Sequence, residues 1–370
     1  MKKSTENKKT ALRDIAFGIL SLVAFVLILC RSDIAIEYMK KGLRLCTQTV
    51  VPSLFPFMII SELIIKSPAV YKIGRILRRP MNFLFGVSEV GGCAFLLGAI
   101  CGFPIGARTA VSAYDEGHIT KDEVSRLLCF CNNPGSAFVI SAIGISLFGS
   151  KQLGVLLYAC VIISAVIVGI ILNLISKKVT NKQDAFFVYI PQKNDMITIF
   201  TSAVSSSAIA MLTVCAYVVF FSALIGCIND IMSAIAAPDI LSTLIFGFFE
   251  MTSGVSTAAK AQSVEGAVIL CAAFAAWSGI SVHCQIITIC SGRGLSYRKY
   301  FICKAIQGLI CAFLMGVSVK ILFPGVIKIT DEVSAFSANI TYYTPTLFAL
   351  LFFMSSVLSF FMLKNKKSNS

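Results

Sequence analysis

Apolar runs long enough to cross a lipid bilayer recur along almost the whole chain. Hydrophobic residues make up 57% of the sequence and charged residues only 14%, and no soluble fold could bury that much apolar surface. A helical crossing takes roughly 20 residues. The sequence therefore predicts an all-α, multi-pass membrane protein whose apolar runs occupy residues 15–30, 50–65, 90–113, 127–148, 153–175, 199–227, 241–258, 266–290, 305–323 and 346–363.

The positive charge of the chain is explained by membrane topology rather than by nucleic-acid binding. The formal net charge is +14, but Lys and Arg concentrate in the tails and in short connections between apolar runs, where they orient a protein in the bilayer. We expect the lipid bilayer to surround the chain and no nucleic acid to bind it. A homo-oligomer is compatible with this pattern.

The sequence carries no signature of an enzyme, a metal site or a cofactor site. Its 14 cysteines include no CxxC pair and no Cys/His cluster with metal-ligand spacing. P-loop, GxSxG and HExxH motifs are absent, and His118 and His283 are too few for most acid–base mechanisms. We expect no catalytic residue, no metal and no cofactor.

Basic segments assign the cytoplasmic side of the membrane. Lys and Arg are frequent in both tails and in three internal segments, which places the two termini in the cytoplasm together with 66–79, 177–193 and 293–304. The loop 229–239 has no Lys or Arg and belongs on the opposite side. The run 15–30 lacks a signal-peptide cleavage site and is interpreted as an uncleaved first span. One observation disagrees with this topology, because the presumed external segment after that span contains Arg31, Lys40, Lys41 and Arg44.

The stretch GFPIG, residues 102–106, interrupts the apolar run 90–113 with two glycines and a proline. Three apolar runs separate cytoplasmic Arg79 from cytoplasmic Lys177, and an odd number of crossings cannot return a chain to the same side. The interrupted run should therefore enter and leave the membrane by one face, as a re-entrant hairpin. In the second half two runs, 241–258 and 266–290, separate external Asp239 from cytoplasmic Arg293. An even number of crossings cannot bring a chain to the opposite side, so the broken run 241–258 is predicted to be a second re-entrant hairpin.

The two halves of the chain follow the same order of apolar runs and breaks. FCNNPGSAF aligns with FAAWSGISV, which pairs Phe130 with Phe274 and Gly135 with Gly279. Inverted repeats with broken helices that meet at the bilayer midplane are typical of secondary transporters. We predict about eight spanning helices and two re-entrant hairpins in two inverted repeats, with residues near Gly106 approaching residues near Gly254. The predicted units are the tail and first span 1–33, a first repeat 34–176, a cytoplasmic linker 177–195, a second repeat 196–323, and a last span with a basic tail 324–370.

The break in the first hairpin is the main candidate site. Gly102, Pro104 and Gly106 would open the helix, and the following half-helix would present backbone N–H groups and its positive end to an anion. Arg108 would add a full charge there, although a charge at membrane depth costs about 2.5–3.5 kcal/mol on insertion scales. The alternative is that Arg108 extends to the lipid headgroups from a shorter hairpin.

Other polar residues inside apolar runs are candidates with competing interpretations. Glu250 could couple transport to protons, bind substrate, or form an ion pair with Arg108 or Lys260. Asn132, Asn133 and Ser136 could line a ligand site or belong to a capped, kinked helix, whereas Ser281 and Gln285 could bind a ligand or form hydrogen bonds between helices.

Three stretches together carry a family resemblance. VVPSLFPFMIISELI, GAICGFPIGARTAVSAYDEGHITKDEVSRLLCFCNNPGSAFVI and SGISVHCQ resemble the sporulation integral membrane protein family known as YlbJ or SpoVV, whose members carry paired Gate domains, also called nucleoside-recognition domains. The resemblance spans nearly the whole chain. Its motif positions here are Gly102, Pro104, Gly106, Arg108, Asn132, Asn133 and Pro134.

The resemblance implies a transport function. Its members are expected to move dipicolinic acid, a planar pyridine dicarboxylate, from the mother cell across the outer forespore membrane during sporulation. This expectation agrees with an arginine at a half-helix N-terminus, which suits a carboxylate. The alternatives are a multi-pass sporulation scaffold and a transporter of another solute, such as a nucleoside.

Overall fold

A computed structural model describes residues 2–175, 195–261 and 263–322. The predicted linker 177–195 lies almost entirely outside the described residues, and the predicted last span 346–363 lies outside them completely. The regular secondary structure of the described residues consists of helices. They are α1 Lys2–Cys30, α2 Ser32–Leu45, α3 Val51–Ile65, α4 Ala69–Phe85, α5 Glu89–Cys101, α6 Ile105–Asp115, α7 Lys121–Leu127, α8 Lys151–Ile175, α9 Met196–Ala234, α10 Asp239–Phe249, α11 Met251–Ala258, α12 Val264–Trp277, α13 Gly279–Cys290 and α14 Arg298–Leu322, with π-helical segments Cys46–Val50 and Phe138–Leu147.

The helices include several that are long and apolar enough to cross a membrane. In the described part of the chain, 4 helical segments qualify, and the number rises to 6 if each of two sharply bent helix pairs is one span. The four are Lys151–Ile175, Met196–Ala234, Arg298–Leu322 and Val264–Cys290, of which the last comprises α12 and α13. The all-α, integral membrane class is thus confirmed. The larger span count and the repeat boundaries remain predictions.

A long helical segment begins earlier than the sequence analysis placed it. The segment Cys46–Val50 joins α2 directly to α3, and this combined helix runs antiparallel to α9. Contacts follow its length: Arg31 pairs with Asp230 at 3.0 Å, and a Cβ on Gly42 would lie 2.8 Å from the Ser222 hydroxyl oxygen. The segment after Arg31 is therefore not a loop. The sequence pattern hid the helix because its charged residues share an exposed face, consisting of Lys40, Lys41 and Arg44.

The interrupted run around GFPIG folds as a helical hairpin, α5 and α6, that reverses at Gly102. Gly102 has a φ of 90°, in the region that favours glycine. Both outer ends of the hairpin lie beside the start of α7: the Ser88 N–H before α5 donates to the Glu123 carboxylate at 2.6 Å, and α6 ends at Asp115 shortly before α7 begins. This is the chain reversal that the parity argument predicts.

The second broken run also forms a hairpin, α10 and α11, which reverses at Glu250. At Gly106 and Gly254 themselves the structure shows no contact between the two hairpins, so their predicted approach stays a prediction. The nearest neighbours of a Cβ on Gly106 are the Cys131 carbonyl and Gly98, whereas those on Gly254 are Gly247 and the Phe274 ring. At these glycines each hairpin packs within its own half. Cys131 covers the first hairpin, and Phe274 covers the second.

Close packing inside the first hairpin makes Gly98 sensitive to substitution. A Cβ on Gly98 would contact the Cys131 carbonyl oxygen and lie 2.8 Å from the Gly106 Cα. We expect Gly98→Ala to reduce the free energy of unfolding by about 1–3 kcal/mol through overpacking. Gly18 has no neighbour within 4 Å, so Gly18→Ala should leave stability unchanged or slightly raised. Denaturant titration of both purified variants checks this, and equal stability of the two would contradict the close contact.

Candidate functional site

The two broken segments of the first half cross each other, at a place we call the first crossing, made of residues 101–104 and 131–136. The Phe103 N–H donates to the Asn133 carbonyl at 2.7 Å, and the Ser136 hydroxyl donates to the Ile100 carbonyl at 3.2 Å. A Cβ on Gly135 would lie 2.8 Å from the Cys101 carbonyl oxygen. Non-helical backbone is tolerated at membrane depth where protein satisfies it, and here each break supplies the partners of the other.

The N-terminus of α6 is already capped by the protein. The Asn132 carboxamide oxygen accepts from the Ala107 N–H at 2.8 Å, while the Ile105 and Arg108 N–H groups donate to the carbonyls of Gly102 and Pro104. The Asn132 amide donates to the Leu128 carbonyl at 3.2 Å, which fixes its orientation. The expectation of an open cluster of N–H groups for an anion therefore needs correction. The neutral side-chain oxygen of Asn132, which belongs to the broken segment 131–136, occupies this end of α6.

Arg108 lies one turn further along α6 and is turned into the protein. Its side chain is 8% exposed and reaches between α3 and α9. One terminal nitrogen, Nη2, donates to the Ser206 hydroxyl at 2.9 Å and lies 3.5 Å from the Glu62 carboxylate. The other, Nη1, has no partner among the described residues. Such burial argues against the alternative in which Arg108 extends to the headgroups.

Glu62 divides its charge between two cations. Its other carboxylate oxygen lies 3.3 Å from the Lys66 ammonium. Charge-assisted N–H···O bonds are normally about 2.7–2.9 Å long, so the 3.5 Å contact with Arg108 is a loose one. The arginine is thus electrostatically balanced but incompletely hydrogen-bonded.

Glu250 forms the tip of the second hairpin. Its carboxylate accepts from the N–H groups of Thr252 at 2.9 Å and Ser253 at 2.6 Å, so it caps α11. A carboxylate is stabilised at a helix N-terminus. The predicted ion pair is not seen, since Glu250 makes no salt bridge with Arg108, Lys260 or any other described residue.

The remaining predicted residues lie at the helix break of the second half, between α12 and α13. Ser278 has a φ of 78°, and a Cβ on Gly279 would lie 2.9 Å from the Met251 nitrogen, so this break crosses the tip of the second hairpin as Gly135 crosses the first. Ser281 and Gln285 are buried on α13. A hydrogen bond between helices is made by their neighbour His283, whose Nδ1 lies 2.6 Å from the Tyr300 hydroxyl.

A buried polar network on α14 was missed by the sequence analysis. Lys304 and Gln307 are both 0% exposed. The Lys304 amine donates to the Asn132 carbonyl at 2.7 Å and to Gln307 Oε1 at 2.8 Å, and Gln307 Nε2 donates to Asn133 Oδ1 at 2.7 Å. The apolar pattern predicts a span that begins at residue 305, which leaves Lys304 in the basic loop 293–304. Its spacing of three from Gln307, which puts both on one helix face, was the available signal.

The site therefore joins two kinds of polar group in an apolar protein. The first crossing, with Asn132, Asn133, Lys304 and Gln307, is closed by internal hydrogen bonds. Arg108, by contrast, retains an unused donor, and Thr109 beside it has a buried hydroxyl with no partner among the described residues. No group of three or more His, Cys, Asp or Glu residues in the described ranges could hold a metal ion. The unused Arg108 donor is a group that could donate a hydrogen bond to an anion.

Comparison with known proteins gives one informative match. No family model matches the chain, and no solved structure matches it. The chain is similar to the sporulation integral membrane protein YlbJ of Bacillus subtilis (strain 168), with 26% identity over 322 residues that cover 78% of each chain. This match agrees with the resemblance carried by the GFPIGAR and CNNPGSAF blocks, and it supports assignment of the chain to the YlbJ family of sporulation integral membrane proteins.

Proposed function

We propose that the chain is a membrane transporter of a small organic anion, and that this anion is dipicolinate moved from the mother cell across the outer forespore membrane. The similarity to a sporulation membrane protein supports the cellular setting. The observation that supports an anionic substrate is that the buried Arg108 guanidinium is incompletely hydrogen-bonded. The bilayer and the anion are the proposed partners, and no enzymatic step is involved.

Arg108 supports this proposal because a buried guanidinium donor without an acceptor is unfavourable. Nη1 has no partner among the described residues, and Nη2 meets Glu62 only at 3.5 Å. A substrate carboxylate could accept from both terminal nitrogens in the bidentate geometry that arginine favours. It would then replace a loose ion pair by a close one.

The order of helices supports a transporter built from inverted repeats. Each half has a long helix, a hairpin, a broken helix and a final helix: α2–α3 corresponds to α9, α5–α6 to α10–α11, α7 with Phe138–Leu147 to α12–α13, and α8 to α14. Gly135 and Gly279, aligned from sequence, contact the tips of their respective hairpins. Broken helices at repeat interfaces form the substrate sites of many secondary transporters, and we assign the paired Gate domains to these two halves.

The proposed orientation places both termini and Lys72 in the cytoplasm and Asp230 on the opposite side. It rests on the basic loops and on the α5–α6 hairpin, which returns to its starting side. Single cysteines introduced as Lys72→Cys, Lys182→Cys and Asp230→Cys in a Cys-free background should label accordingly with a membrane-impermeant maleimide. Position 182 lies outside the described residues but serves the same test. Labelling of positions 72 and 182 from opposite sides would contradict the re-entrant hairpin.

Uptake by liposomes tests the proposed substrate. Vesicles containing the purified protein should accumulate labelled dipicolinate faster than protein-free vesicles, and unlabelled dipicolinate should compete. Uridine is the comparison solute, since uptake of uridine without dipicolinate would favour a nucleoside transporter instead. Uptake of neither solute by folded protein would favour the scaffold alternative.

A further inference from the structure

Lys304 is an amine buried completely within a membrane-spanning helix, and the proposed anion site does not use it. It lies on α14 and is 0% exposed. Ionisable residues at membrane depth normally face a partner of opposite charge or a functional cavity. No salt bridge joins Lys304 to an acidic residue in the described ranges. Its environment therefore has to be explained by hydrogen bonds alone.

The hydrogen-bond directions around Lys304 are fixed by the atoms that can only accept. Asn133 Nδ2 donates to the Phe130 carbonyl at 2.8 Å, so Asn133 Oδ1 must accept. It accepts from Gln307 Nε2 at 2.7 Å, which leaves Gln307 Oε1 to accept from Lys304. The second acceptor is the Asn132 carbonyl at 2.7 Å. The amine therefore meets two oxygen acceptors in fixed directions.

Two acceptors match the donors of a neutral amine. A lysine ammonium has three N–H donors, whereas the neutral amine has two and a lone pair. An isolated ammonium in an apolar interior also carries a large desolvation cost and tends to lose its proton. The titratable groups that act on the Lys304 charge are the His283 imidazole on α13 and the thiols of Cys129, Cys131, Cys303 and Cys311. None of these is a carboxylate that would hold an ammonium.

We propose that Lys304 is a proton-binding site whose occupancy depends on the contact between α14 and the first crossing. The amine is neutral while it bridges the Asn132 carbonyl and Gln307. When α14 and residues 131–136 separate and water reaches the nitrogen, its lone pair takes a proton from water to form the ammonium. Protonation then opposes reclosure, because the charge would have to be desolvated again. This inference does not depend on the identity of the transported solute.

The protonation state can be observed directly in the wild-type protein. Solid-state NMR of ¹⁵N-lysine-labelled protein in lipid should show a lysine Nζ resonance at the neutral-amine position at neutral pH. This resonance should be missing in Lys304→Met and retained in Lys320→Met, which removes an exposed lysine of the same helix. Gln307→Glu would place a carboxylate near the amine and should move the resonance to the ammonium position, which identifies it even if Lys304→Met does not fold. Only ammonium resonances in the wild type would overturn the proposal, as would a neutral resonance that Gln307→Glu leaves unchanged.

The coupling to opening has a separate readout. As the pH falls, hydrogen exchange of the backbone N–H groups in residues 131–136, other than Pro134, should become faster in the wild type and in Lys320→Met relative to Gln307→Glu at the same pH, because the carboxylate introduced at position 307 would hold the ammonium in the closed state. Comparing variants at the same pH removes the intrinsic pH dependence of exchange. An identical response in all three proteins would overturn the coupling.

Discussion

Replacing Arg108 by alanine is expected to abolish dipicolinate uptake into vesicles, and replacing it by lysine is expected to weaken uptake substantially. Arg108 combines an Nη1 without a partner among the described residues with a loose 3.5 Å contact to Glu62. Loss of a charge-assisted hydrogen bond costs about 1.5–3 kcal/mol, or roughly one to two decades of affinity. Lysine restores the charge but not the planar pair of donors. The measurement is the initial uptake rate at matched protein density.

Arg75→Ala is the matched control for this prediction, because Arg75 is an exposed arginine on α4 and should leave uptake unchanged. Uptake by Arg108→Lys equal to that of the wild type would contradict a bidentate interaction between Arg108 and the substrate carboxylate. Normal uptake by Arg108→Ala would remove Arg108 from the site altogether.

Replacing Asn132 by alanine is expected to destabilise the protein and to reduce uptake at the same time. The Asn132 side chain is 0% exposed. The substitution removes the oxygen that accepts from the Ala107 N–H and the Nδ2 group that donates a hydrogen bond to the Leu128 carbonyl. A buried N–H left without a partner costs about 1–3 kcal/mol. Because Ala107 is adjacent to Arg108, loosening this turn also displaces the guanidinium. Denaturant titration and uptake measure the two effects.

Asn82→Ala serves as the control for Asn132, since Asn82 is exposed on α4. Its stability and uptake should match the wild type. If Asn132→Ala were as stable as Asn82→Ala, the capping of α6 by Asn132 would not contribute to the stability of the fold.

The features that sequence predicted well depend on patterns along the chain. The positions of Lys and Arg relative to the apolar runs predict a reversal at GFPIG, and the structure has a helical hairpin that turns at Gly102. Its entry and exit by one face of the membrane stays a prediction. Parity arguments of this kind need only the side on which each loop lies. The glycine and proline residues then indicated where the helix would end.

The features that sequence missed depend on contacts between distant segments. Nothing local to Asn132 shows that its side chain caps a helix formed by residues 105–115, and nothing local to Glu250 distinguishes a helix cap from an ion-pair partner. Lys304 was misplaced because a lysine at the edge of an apolar run is usually a loop residue, whereas here two acceptors from other segments accommodate it inside a helix. The early start of α2 was hidden because charges on one exposed face lower the hydropathy of a helix that is otherwise packed against α9.

Counterflow tests the central claim, that this chain is an anion carrier, most directly. Vesicles that contain the wild-type protein and are preloaded with unlabelled dipicolinate should transiently accumulate labelled dipicolinate above its external concentration, as a carrier with alternating access requires. Vesicles with Arg108→Ala, and wild-type vesicles preloaded with uridine, should not. The absence of any transient accumulation in wild-type vesicles, with the protein shown to be folded, would contradict the account.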